Sequence, residues 1–144
     1  MICDNRLLGF AILILVLAPF SWCGVTDEQM KKSAQMLRDV CQPKFKISDE
    51  VANGIKDGIV PDEQNVKCYI NCVLEMMNSI KKGKLNYEAS VKQIDLLLPD
   101  RLKDSFKAGL AACRNSIDGI RNHCEAATVL LKCLKANIPE FFFP

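Results

Sequence analysis

The chain has 144 residues, a formal net charge of +2 and eight cysteines. That length supports one modest domain and no more. A charge so near balance, with lysines scattered rather than striped, excludes a nucleic-acid binder, and the cysteine number points to an exported, crosslinked chain.

The first element is a leader. Arg6 is followed by the apolar run LLGFAILILVLAPF and then by Ser21, Trp22, Cys23 and Gly24. A basic start, an apolar stretch and small residues at its end read as a signal peptide over residues 1–23. Cleavage after Cys23 leaves Ser21 and Cys23 at the two positions that should be small, whereas cleavage after Gly24 puts Trp22 at one of them, so the first is favoured. An uncleaved membrane anchor is the alternative, because no charge falls between Arg6 and Asp27 and about 20 apolar residues span a bilayer; Pro19 argues against it. The domain proper is then residues 24–144. Losing Asp4 and Arg6 leaves the charge balance unchanged. No Asn-x-Ser/Thr site is present, so N-glycosylation is not expected.

Behind the leader the chain divides into helix-length pieces. Thr26-Asp27-Glu28-Gln29 is a capping box with Met30, Ala34, Leu37 and Val40 recurring behind it, and Pro43 predicts an end near Cys41. Ser48 caps a short second helix with Asp49 and Glu50 in its first turn; Gly54 and Gly58 end it early. Pro61-Asp62-Glu63 opens a third, whose apolar face runs from Val66 through Tyr69, Ile70, Val73 and Met77 to Ile80, with Gly83 expected to stop it. Asn86 caps a fourth, carrying Ala89, Val91, Ile94 and Leu98. Pro99-Asp100 opens a fifth with Leu102, Phe106, Leu110 and Cys113. A sixth begins at Glu125, carries Val129 to Leu134 and ends before Pro139. There is no strand pattern and no Asn-Gly or Asp-Gly hairpin signal. The fold class is all-α.

Six cysteines remain after the leader: Cys41, Cys68, Cys72, Cys113, Cys124 and Cys133. Zinc is the competing use, but His123 is the one histidine and no knuckle spacing occurs; redox catalysis would want C-x2-C, and Cys68 and Cys72 form C-x3-C. No metal and no cofactor are expected. Cys68 and Cys72 lie one helical turn apart on nearly the same side, where a bond between them is awkward, so each is suited to a different neighbour. Fifteen pairings are possible in principle, and spacing alone selects none. Each closed loop of tens of residues contributes roughly 3–4 kcal/mol in the chain-entropy treatment. Bracing of that size lets a small protein keep an incompletely filled interior.

The residues between successive cysteines number 26, 3, 40, 10 and 8. With VKCYINC, DLLLPDRL and the aromatic tail EFFFP, this spacing resembles the six-cysteine insect odorant-binding proteins, which include pheromone-binding and general odorant-binding proteins, over the whole mature chain. The resemblance implies the pairing Cys41–Cys72, Cys68–Cys124 and Cys113–Cys133. It implies a compact six-helix bundle enclosing a hydrophobic ligand pocket. By position it also implies pocket residues Leu74 and Met77 on the third helix; Val91, Ile94 and Leu98 on the fourth; Phe106 on the fifth; Leu131 and Leu134 on the sixth; and Phe142 and Phe143 in the tail. An apolar residue on a helix face is more often plain core than ligand wall, yet three consecutive phenylalanines are a liability unless buried. Since they cannot all face one way, two are expected inside. In some relatives the C-terminal segment closes over the pocket, its carboxylate held by an Arg and a Tyr; Arg38 and Tyr69 match those positions, and Asp57 is placed to join them. Protonating the terminal carboxylate or Asp57 would loosen such a latch. His123 alone forms no histidine cluster, and a solvated or capping role suits it.

The function the resemblance implies is an extracellular carrier of odorants or pheromones that delivers them to receptors, as a monomer or weak homodimer, secreted and without stable membrane insertion. A non-olfactory carrier of lipid, hormone or amine is the alternative, separable by tissue of expression. An enzyme would need a nucleophile–base pair or a metal, and no such set occurs. A disulfide-braced protein ligand would turn its aromatics outward.

Overall fold

The computed structural model describes residues 25–144; the leader over residues 1–23, with Cys3 and Cys23, lies outside the described residues. Helix α1 (Asp27–Phe45) starts on the reciprocal box in which Thr26 accepts from the Gln29 N–H and the Gln29 side chain accepts from the Thr26 N–H. It does not stop at Cys41 but runs through Pro43. A proline in the last turn forfeits one backbone hydrogen bond. The end is closed beyond it instead: Lys46 adopts φ 55°, and the Lys46 and Ile47 N–H groups donate to the Pro43 and Gln42 carbonyls. Helix α2 (Asp49–Asp57) is capped by Ser48 and ends at Gly58.

Helix α3 (Gln64–Met76) ends well before Gly83. Asn78 takes the left-handed position at φ 53°. Ser79 N–H donates to the Leu74 carbonyl and Asn78 N–H to the Glu75 carbonyl, the two bonds of a Schellman stop. Gly83 serves a different turn. Strands β1 (Ile80–Lys81) and β2 (Lys84–Leu85) pair antiparallel, Ile80 opposite Leu85, around Lys82 at φ 51° and Gly83 at φ 72°. Positive φ at both central residues is what a tight hairpin requires; a lysine here occupies the place where Asn or Asp would have signalled it.

Helix α4 (Tyr87–Leu97) follows Asn86, whose side chain donates to Asn78 Oδ1 rather than capping. Helix α5 (Asp100–Ala112) follows Pro99. Helix α6 (His123–Asn137) begins before Glu125 because Asn122 accepts from the Glu125 N–H; Asn122 is the cap and His123 an exposed first-turn residue.

Over the described residues the product is an all-α bundle of six helices with one short hairpin. Helix α3 is its axis, packed against α6 most extensively and against α1 next. Val66, Tyr69, Ile70 and Val73 of α3 are at most 1% exposed and pack with Ala126, Ala127 and Leu130 of α6. A second cluster joins Ile94, Leu98, Leu102, Phe106 and Leu110 around Ile138. Disulfides link Cys41 to Cys72, Cys68 to Cys124 and Cys113 to Cys133. Helix α3 is thereby tied to α1 and α6, and the end of α5 to α6. Lys67, one residue from Cys68, reinforces the α3–α6 bridge by pairing with Glu125 at 2.8 Å and with Asp62; these hydrogen bonds hold the Lys67 ammonium above its usual pKa and the Asp62 carboxyl below its own.

The Cys113–Cys133 loop has a sequence separation of 20, for which the chain-entropy treatment gives about 3 kcal/mol. Replacing both residues by serine is expected to lower Tm by on the order of 10 °C; an unchanged calorimetric Tm would contradict that assignment of stability.

Candidate functional site

Between the two hydrophobic clusters lies a chamber of about 90 Å³ with an almost wholly apolar wall. Its members recur at helical spacing. Helix α3 contributes Leu74 and, just past its end, Met77; α5 contributes Phe106 and Leu110; α6 contributes Leu130 and Leu134, with Ile138 one turn further on. Residues three or four apart on a helix share a face, so each helix needs only two or three apolar side chains to form its panel. Ile94, Leu97 and Leu98 supply α4's panel, and Leu85 the hairpin's. Larger hollows occur at the surface, one of about 790 Å³ around Lys82, Arg114 and Arg121. Their walls are more polar and more open, so the small apolar chamber is the ligand-site candidate.

The tail supplies one wall of the chamber. Gly109 is what lets its root approach α5: a Cβ there would lie 2.2 Å from Ile138 Cγ1. Past Ile138 the chain turns, Phe141 N–H donating back to the Ile138 carbonyl. Phe141 then stacks on Phe106 with ring centres 6.0 Å apart, Phe142 tilts against the same ring at 5.8 Å, and Phe143 meets Tyr69 edge-on at 6.3 Å. All three phenylalanines line the chamber, and Phe143 is 2% exposed. Two inward rings were expected; the turn at Ile138–Phe141 breaks the alternation of an extended tail, so Phe141 also faces in. Inward packing of this kind is the reverse of a displayed aromatic surface.

Of the expected pocket residues, Leu74, Met77, Ile94, Leu98, Phe106, Leu134, Phe142 and Phe143 lie on the wall and two do not. Val91 packs against the second cluster from its flank. Leu131 is 2% exposed in the main core and borders a separate hollow with Ile55 and Val60. Both corrections have one cause: a helix turns about 100° per residue, and the chamber faces of α4 and α6 are centred on Ile94 and on Leu130–Leu134. Sequence reasoning also missed Ser79, Ser90 and Gln93 on the wall. Ser90 and Gln93 left a signal, being polar residues one turn ahead of Ile94 and Leu97 on an otherwise apolar face.

The expected latch is only partly assembled. Tyr69 Oη donates to a terminal carboxylate oxygen of Pro144 at 3.3 Å, the tyrosine half of that latch. Burial pushes the Tyr69 phenol pKa up, opposed by the nearby Arg38 charge. Arg38 borders the tail at Phe142–Pro144 but spends most of its donors elsewhere: Nε on Gln42 at 2.9 Å, Nη1 on Asn53 at 2.9 Å, and Nη2 on the Asp49 carboxylate at 3.1 Å. The first turn of α2 thus captures the arginine, and hydrogen bonds from Gln42 and Arg38 hold the Asp49 carboxyl below the usual carboxylate range. Asp57 is exposed at the end of α2 and takes no part in the tail contacts. The ionic hold on the tail comes from a residue not anticipated, Arg101, which pairs with Glu140 at 2.7 Å and with Asp27 at 3.0 Å. All three are about half exposed or more, so each pair contributes little in water. The tail is held chiefly by its aromatic contacts.

Residues 24–137 match the PBP/GOBP family. General odorant-binding protein 72 of Anopheles gambiae is 51% identical over 121 residues, 84% of this chain and 100% of that protein. General odorant-binding protein 19a of Drosophila melanogaster is 48% identical over 129 residues, 88% of each chain. The crystal structure of odorant binding protein 4 of Chrysopa pallens superposes with a TM-score of 0.75 at 37% identity, covering 83% of this chain and 99% of that one.

If aromatic packing rather than the phenol holds the tail, Phe143→Ala costs at least about 2 kcal/mol of stability and Tyr69→Phe about 1 kcal/mol or less, both by urea unfolding. The reverse order would place the latch in the hydrogen bond.

Proposed function

The chain belongs to the PBP/GOBP family, whose members are small-ligand carriers and not enzymes, and from that premise we propose that it is an extracellular carrier that holds small hydrophobic molecules, odorants or pheromones, in its apolar chamber and delivers them to chemosensory receptors. The observation that carries this reading is the chamber itself: an apolar hollow between helices joined by disulfides and walled on one side by an aromatic tail. Apolar burial supplies the affinity at roughly 25 cal/mol per Å², less the costs of association. A chamber of about 90 Å³ suits a short guest or the end of a longer one. A larger guest is taken in by displacing Phe141 to Phe143, so uptake and release are both movements of the tail.

Export fits the same picture. Family members are typically secreted, and no helix among the described residues is long and apolar enough to cross a membrane. The family match begins at residue 24, which supports removal of residues 1–23. The carrier works as a monomer or weak homodimer in this reading, with the small hydrophobic molecule as its partner and an odorant receptor as the recipient.

Two measurements test it. A fluorescent dye that brightens in apolar surroundings should bind saturably and be displaced by volatile apolar molecules, and deletion of residues 140–144 should weaken binding about tenfold by faster release. Failure of saturable uptake would end the carrier reading, and unchanged affinity and pH profile after deletion would end the role of the tail as a lid. Mass analysis of the protein secreted from insect cells should give an N-terminus at Gly24; a chain retaining Met1 in the membrane fraction would mean an anchor instead.

A further inference from the structure

Cations that lie scattered along the sequence meet at one place in the fold. The surface hollow of about 790 Å³ takes Lys82 and Lys84 from the hairpin and Arg114 and Arg121 from the link between α5 and α6. Asp118 is its one carboxylate. The hollow thus gathers four cations and one anion in a chain whose net charge is only +2. All four cations are exposed. Elsewhere Lys32, Lys67, Arg101 and Lys107 have carboxylate partners; among the described residues the four in the hollow have none.

The frame of the hollow is fixed. Arg114 follows Cys113 and Arg121 stands just before Cys124, and both cysteines are bridged, so the link that carries the arginines is pinned at each end. The Arg114 guanidinium lies over the Tyr87 ring, 4.5 Å from its centre, a stacking that holds the fork while leaving its edge donors open. His123 covers Gly83 so closely that no Cβ fits between them, which seats the hairpin tip against the start of α6. Half-buried Leu85 and Ile120 supply apolar wall.

We propose that this hollow is a docking surface for an acidic segment of another protein, a short stretch with two or more carboxylates around one apolar side chain. The guanidinium groups of Arg114 and Arg121 each donate two parallel hydrogen bonds to a carboxylate, and Lys82 and Lys84 add point charges. The apolar side chain covers Leu85 and Ile120. One exposed pair contributes little in water, but four cations converging on one segment act together and steer its approach. A lipid surface is the poorer match. The hollow is concave, and the exposed large hydrophobics, Met36, Val40, Ile59, Met76 and Leu96, all lie outside it, so nothing apolar projects there to enter a bilayer. Leu85 is the one residue shared with the chamber, so a partner docks while the guest stays inside.

The test is fluorescence polarisation of a labelled Glu-Asp-Leu-Asp-Glu peptide with the full mature protein. It should bind saturably and at least about tenfold more tightly than Gln-Asn-Leu-Asn-Gln. Affinity should fall about tenfold as ionic strength rises from about 0.01 to about 0.15 M, and about fivefold when glycine replaces the peptide's leucine. Arg121→Glu should weaken binding about tenfold, whereas Lys32→Glu, the same change in net charge on α1, should leave it within about twofold. Both variants should keep wild-type dye uptake, which shows that they fold. No saturable peptide binding, equal losses in the two variants, or an Arg121→Glu protein that binds as the wild type does overturns the assignment. Preference for phosphatidylglycerol vesicles over the peptide, or self-association lost in Arg121→Glu, overturns the choice of partner in favour of a membrane or a second copy of the chain.

Discussion

Cys68 and Cys72 occupy one turn of α3 and fasten it to two different helices, Cys68 to Cys124 in α6 and Cys72 to Cys41 in α1. Everything else in the bundle is built around a helix that cannot leave. In a domain of this size the net stability is a small remainder of large opposing terms, and an unfilled interior normally collapses or destabilises. Loops closed covalently at separations of 31, 56 and 20 residues raise the free energy of the unfolded chain instead. The side chains around the chamber are then relieved of having to fill it.

The bracing is uneven, and its unevenness corresponds to function. Helices α1, α3 and α6 and the end of α5 carry the six bridged cysteines of the described residues. Helix α4 and the tail carry none, and both are walls of the chamber. Helix α4 rests chiefly on α5, and the tail rests on three aromatic contacts and the exposed Arg101 pair. Local opening draws on the regions with the fewest constraints. The rigid half positions Leu74, Leu130 and Leu134, and the yielding half carries Gln93, Ile94 and Phe141 to Phe143.

What could be read from the sequence was mostly what is encoded locally. The caps at Thr26 and Ser48 and the start behind Pro99 depend on residues within one turn, and they stand where the pattern put them. The stops were harder, because a left-handed residue is cheapest as glycine and this chain uses Lys46 and Asn78. Pro43 looks like a breaker, but a last-turn proline costs one bond and the Lys46 closure follows it. In the site, the apolar stripes named the helices that face the chamber but not their phase. Leu130 and Leu131 are equally apolar, and only packing against α3 and α5 decides which of them faces the chamber. Arg38 shows the limit of transfer by position: the residue matches a latch, yet Asp49 and Asn53, set by this chain's own second helix, take its donors.

Amide hydrogen exchange with and without a bound short-chain alcohol is the most direct test of a braced frame with two yielding walls. Binding should slow exchange over residues 87–98 and 139–144 and leave the already protected amides of α3 and α6 unchanged. Slowing confined to the surface hollow around Lys82 and Arg121, or none at all at saturating ligand, would contradict a guest held inside the bundle.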